Sequence, residues 1–203
     1  MKAALLTLLA TAALAQNVTP PAGQLAEMKK LDFLLGEWRG GGWIQMGPEK
    51  QEFEGRESVA SKLGGLILTI EGVHHRKAGS GTPVHNAFAV VSYDPRARMY
   101  QFRAYTANGQ ALTADGRIRD GGFEWGFEVP GGSGMKIRYF IRLDDKGKWV
   151  ETGEMSRDGS EWRQFFEMRL TRQPSRAAVP VPPPAFRGVT SSGTAPGTSR
   201  SPA

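Results

Sequence analysis

The spacing of apolar positions changes period once along this chain. Over 24–35, Leu25, Met28, Leu31, Leu34 and Leu35 recur every three or four residues. This predicts one short amphipathic helix, ended by Gly36. From Trp38 onward the period is two. Phe123, Trp125, Phe127 and Val129 alternate with Glu124, Gly126 and Glu128. Met135, Ile137, Tyr139, Ile141 and Leu143 alternate with Lys136, Arg138, Phe140 and Arg142. Trp162, Gln164, Phe166, Met168 and Leu170 alternate with Glu161, Arg163, Phe165, Glu167 and Arg169. Each run predicts a strand with one apolar face. Earlier strands are expected at 37–46, 50–60, 65–75 and 85–94.

Turn residues separate the runs. Asp94-Pro95, Asn108-Gly109, Asp120-Gly121, Gly131-Gly132, 144–147 and Asp158-Gly159 fall between strands, and Asp115-Gly116 reads as a further turn or a bulge. About ten strands joined by short loops imply an all-β, antiparallel up-and-down barrel, because closure removes exposed edges. The helix is expected to cover one end.

The two ends of the chain differ from the body. Residues 1–15 combine Lys2, an apolar run and Ala13-Leu14-Ala15 before Gln16, the pattern of a cleaved signal peptide. The apolar run is too short to span a bilayer. The mature chain is therefore expected to be periplasmic or secreted and not inserted in a membrane. Residues 16–23 form a polar lead, 24–173 the barrel with its helix, and 174–203 a Pro/Ser/Gly-rich tail predicted to be disordered.

Composition narrows the chemistry. There is no cysteine, which excludes disulfides, thiolate catalysis and cysteine-bound metals. The formal charge of +6 raises the question of a polyanion partner. Four of the basic residues, Lys2, Arg176, Arg187 and Arg200, lie in the leader and tail, leaving 22 basic against 20 acidic residues. A nearly neutral body without aromatics interleaved among basic residues argues against nucleic acid.

Gly36-Glu37-Trp38 at the start of the first strand resembles the lipocalin and calycin signature. That resemblance implies a tryptophan packed under the barrel against an arginine of the last strand, here Arg169 or Arg172. FLLGEWRGGG (33–42), VVSYDPRARMYQFRAY (90–105) and WVETGEMSRDGSEWRQFFEMRLTR (149–172) together resemble an uncharacterised bacterial family of calycin-like barrels, a domain of unknown function. The likeness spans residues 31–172 and implies fold more than activity. Nitrobindin, a distant relative in the same structural group, binds haem through a histidine late in its barrel. Here the histidines are His74, His75 and His85, all early, so no haem and no other cofactor is expected.

Candidate site residues follow from strand parity. Polar residues in register with apolar neighbours need a partner, water or ligand. Glu57 shares parity with Phe53 and Val59, Tyr139 with Ile137 and Ile141, and Gln164 with Phe166. Arg103, two residues before Tyr105, is the expected counter-charge. Trp125 and Phe166 are expected as wall, with His74 and His85 at the rim. His74 and His75 are adjacent on one strand and so face opposite ways, which speaks against a shared metal. No nucleophile motif is present, so no catalytic residues are assigned. The expected role is binding a small, largely apolar molecule. Two alternatives stand beside it. One is a barrel enzyme pairing Glu57 or Glu71 with a histidine. The other is an envelope interaction module using the tail.

Overall fold

The computed structural model describes residues 20–77, 83–131 and 134–174. The expected leader, and the tail beyond residue 174, lie outside the described residues. The strands are β1 (Gly36–Ile44), β2 (Gln51–Lys62), β3 (Ile67–Arg76), β4 (Pro83–Asp94), β5 (Met99–Thr106), β6 (Ala111–Arg119), β7 (Gly122–Glu128), β8 (Lys136–Leu143), β9 (Trp149–Ser156) and β10 (Arg163–Arg172). They form one closed barrel in which each strand pairs with its sequence neighbours and β1 closes on β10. All pairings are antiparallel. This is the expected ten-stranded, up-and-down, all-β barrel.

The helix is shorter than the apolar stripe suggested. An α-helix, α1, spans Ala22–Lys29, and a single 3-10 turn follows at Asp32–Leu34. The break leaves the stripe facing the core, because Met28, Leu31 and Leu34 are all buried. Together these segments cap one end of the barrel. Gln24 Nε2 donates to the Tyr93 carbonyl at 2.7 Å, and the Tyr100 hydroxyl donates to the Glu27 carbonyl at 2.8 Å. No helix among the described residues is long and apolar enough to cross a membrane.

The capped end is closed by two tryptophans. Trp38 is fully buried, and its indole N–H donates to the Leu34 carbonyl at 2.8 Å. Trp149 meets it edge to face, with centroids 5.5 Å apart. Arg172, not Arg169, supplies the expected arginine: its guanidinium lies 4.1 Å from the Trp38 ring centroid. It donates to the carbonyls of Phe33, at 2.8 Å, and Leu35. Three residues far apart in sequence thus lock the helix, the first strand and the last strand together.

Two local expectations fail. Asp115-Gly116 is neither turn nor bulge: both residues pair in unbroken register within β6, opposite Gly126 and Trp125. Gly116 is there for space, since a Cβ would fall 2.6 Å from the Phe123 ring. Trp162 lies not in the core but beside Arg138, whose guanidinium is 3.9 Å from its ring centroid.

Candidate functional site

Above the tryptophan floor, the interior carries a belt of stacked rings. Phe102 stacks on Trp125 at 4.1 Å, and Trp125 on Tyr139 at 4.4 Å. Tyr139 meets Phe166 edge-on at 5.7 Å, and Phe166 stacks on Phe53 at 5.6 Å. Phe53 stacks on His74 at 5.0 Å, and His74 on His85 at 5.4 Å. The belt draws on seven strands: β5, β7, β8, β10, β2, β3 and β4.

Small residues on neighbouring strands make the belt and its polar groups fit. Gly55 is the cross-strand partner of His74, and a Cβ there would lie 1.9 Å from the imidazole. Gly72 faces Glu57, and a Cβ there would lie 2.6 Å from its carboxylate. Gly153 faces Tyr139 in the same way, with a Cβ 2.8 Å from the ring. A large side chain opposite a glycine recurs around the barrel. The glycines therefore set which side chains occupy the interior.

Glu57 and His74 lie diagonally across the β2–β3 ladder, both buried, with Glu57 Oε1 2.9 Å from His74 Nε2. The contact is close but off the line of a hydrogen bond, and Nε2 is left without a hydrogen-bond partner. The Trp125 indole N–H is likewise buried and unpartnered. A second acid, Glu151 of β9, is buried nearby and accepts from the Trp149 indole N–H at 3.2 Å. Burial pushes the Glu151 carboxyl up to about 8; the charge of Glu57 pushes the same way, and the Trp149 N–H opposes both. Burial, then the charge of Glu151, raises the Tyr139 hydroxyl. His85 is exposed at the mouth of the β3–β4 pair, yet its pKa is lowered, first by the desolvation of its ring against neighbouring atoms and then by His74, against the pull of Glu57.

The structure brings together Glu57, His74, His85, Trp125, Tyr139 and Phe166 from the expected set. His74 is a correction in position, since it is buried inside the belt and not at the rim. Two other residues do not belong. Arg103 is exposed on the outer wall, where it donates to Gln101, because it lies between the inward Phe102 and Ala104. Gln164 is also exposed: a bulge between Gln164 and Phe166 breaks the alternation, and its amide donates to Glu167 at 3.2 Å. Glu71 faces outward and is exposed, so it is not part of a carboxylate–histidine pair. Among the described residues no group of three His, Asp or Glu is arranged to hold a metal. Buried His74 stacks on Phe53 and on exposed His85, and β8–β10 carry no histidine, which does not fit a haem held from the late strands.

Glu151 is the residue that sequence reading missed. It shares parity with Trp149 and Gly153, the same signal that identified Glu57.

A second concave surface lies outside the barrel. A groove of about 990 Å³ runs over the glycine-rich β1, where Gly41 exposes backbone between the side chains of Arg39, Trp43, Glu54, Arg56 and Arg169. Lys50 stacks on Trp43 there, 3.7 Å from the ring centroid.

Among solved structures, the chain resembles the crystal structure of Rv2717c from M. tuberculosis. Identity is 16%, the match covers 73% of this chain and 98% of that one, and the TM-score is 0.53. At that identity the likeness concerns the fold alone. No curated protein matches the chain. The family profile described as "Protein of unknown function (DUF1579)" matches residues 24–172, the helix and the barrel from its first strand to its last, and the chain belongs to that family.

Proposed function

We propose that this protein is a binding protein of the periplasm or extracellular space, holding a small molecule with a largely apolar body inside the aromatic belt. One observation carries the reading. Two buried polar atoms, His74 Nε2 and Trp125 Nε1, lack hydrogen-bond partners within the same ring-lined interior. A buried polar group left unpaired costs about 1–3 kcal/mol, so a ligand that meets these atoms recovers that energy on binding. Flat rings on seven strands supply apolar contact, and few polar groups remain to orient what binds. The leader at 1–15 supports export.

Native mass spectrometry of protein recovered from its own source tests the reading. A non-covalent adduct that dissociates on denaturation is expected, and Glu57→Gln with His74→Ala should weaken its retention. A clean apo mass, with no thermal shift across a panel of fatty acids, isoprenoids and aromatic amines, would contradict a carrier. N-terminal sequencing tests export: Gln16 is expected as the first residue, and an intact Met1 would refute it.

The 2.9 Å contact between Glu57 and His74 favours one alternative, acid–base catalysis on the bound molecule. That reading requires the compound to be consumed, with turnover lost in Glu57→Gln. A binding protein returns it unchanged.

A further inference from the structure

Three glutamates are buried among the described residues: Glu57, Glu124 and Glu151. They are not treated alike. Glu124 is clamped by two arginines, with Arg117 Nε at 2.9 Å and Arg119 Nη1 at 2.6 Å. Among the described residues, no lysine or arginine is hydrogen-bonded or ion-paired to Glu57 or Glu151. Glu57 has only the misaligned His74 nitrogen, and Glu151 only the Trp149 indole. Neither acid thus has the clamp of strong cations that holds Glu124.

The surroundings of these two acids have the chemistry of a cation site. Rings of Phe53, Phe102, Trp125, Tyr139 and Phe166 pack around the interior, and in such apolar surroundings a carboxylate attracts an ammonium group more strongly than in water. An anionic ligand would meet two carboxyls and no lysine or arginine. A neutral apolar ligand would leave Glu57 and Glu151 as they are.

Resting on the binding role proposed above, we propose that the interior ligand carries a protonated nitrogen, as an organic ammonium or amidinium, held by Glu57 and Glu151 within the aromatic belt. The titratable groups facing this pair are Tyr139 on β8, His74 on β3 and His85 on β4. Of these groups, Glu151 is the one that gives up a proton when a cation enters, because it is held protonated near neutral pH by burial and by Glu57. Loading is therefore coupled to proton release and strengthens as pH rises from about 6 to 8.

Calorimetry on the full chain with three matched probes tests this: naphthylmethylammonium, naphthylmethanol and naphthoate. The ammonium is expected to bind at least about tenfold more tightly than the alcohol, and the carboxylate weakest. Comparing buffers of different ionisation enthalpy should show proton release near pH 7, abolished in Glu151→Gln. Glu57→Gln and Glu151→Gln should each bring the ammonium down to the affinity of the alcohol, while circular dichroism confirms that both variants fold. Equal or tighter binding of the alcohol, with Trp125 perturbed, would overturn the cation assignment and leave the binding role standing. Failure of all three probes to perturb Trp125 would overturn both.

Discussion

The two halves of the barrel interior are built from similar residues and finished differently. At the capped end, Trp38, Trp149, Tyr100 and Arg172 each place a polar atom on a partner: the Leu34 carbonyl, Glu151, the Glu27 carbonyl and the Phe33 carbonyl. In the far half, His74 and Trp125 are as aromatic and nearly as buried, yet each has a nitrogen without a hydrogen bond, the His74 nitrogen meeting Glu57 only off-line. The capped end is a satisfied core. The far half keeps unspent hydrogen-bonding capacity, the property expected of a surface that recognises something.

The contrast predicts different consequences for substitution. The largest stability effect belongs to the capped end. Trp38→Ala should cost about 3–5 kcal/mol in urea unfolding, because it removes a buried ring, a hydrogen bond and the platform for Arg172. A loss below about 1 kcal/mol would mean that the floor does not hold the barrel.

Glu151 gives the next effect, and its sign separates the two halves further. Its folded pKa, about 8, lies above the usual 4.5, so the folded state binds the extra proton between those values. Stability from this group is complete below about pH 4.5 and is lost as pH rises through about 8. The loss is on the order of 5 kcal/mol at the high end. Glu151→Gln should flatten this slope and be more stable than the parent at pH 9. A parent that gains stability from pH 5 to 9 would show that Glu151 is not held protonated.

Gly55→Val comes third. Its side chain collides with the His74 ring and should cost about 1–3 kcal/mol while displacing the Glu57–His74 pair. Ligand retention should fall by more than stability alone explains. Smallest is the effect at His85, whose NMR titration should fall below the ordinary value of 6.5. Glu57→Gln removes the one charge that opposes this shift and should lower it further.

Much of this architecture is legible in the sequence, because strand alternation reports burial directly. Phe123–Trp125–Phe127 and Ile137–Tyr139–Ile141 give the inner faces of β7 and β8 without further information. Parity also places Glu57 inside. It fails where the alternation is broken or masked. The bulge before Phe166 inverts the register and turns Gln164 outward. Arg103 is misread because Tyr105 looks like a core aromatic, whereas Tyr105 is 52% exposed on the outer wall beside Phe88. Glu151 is hidden by Val150, which is also buried, so that β9 shows no clean alternation. The side-chain pairing of His74 with Glu57 depends on Gly55 and Gly72 lying opposite them, a cross-strand register that no single strand reveals.

The central claim is that recognition happens inside the belt and not in the groove over β1. The chain holds five tryptophans, and two of them report on these places: Trp125 in the belt and Trp43 in the groove. Fluorine NMR of fluorotryptophan-labelled protein, with resonances assigned by Trp→Phe variants, reads both at once as ligand is added. The Trp125 resonance is expected to shift while that of Trp43 stays in place. Movement of Trp43 with Trp125 unchanged would contradict it.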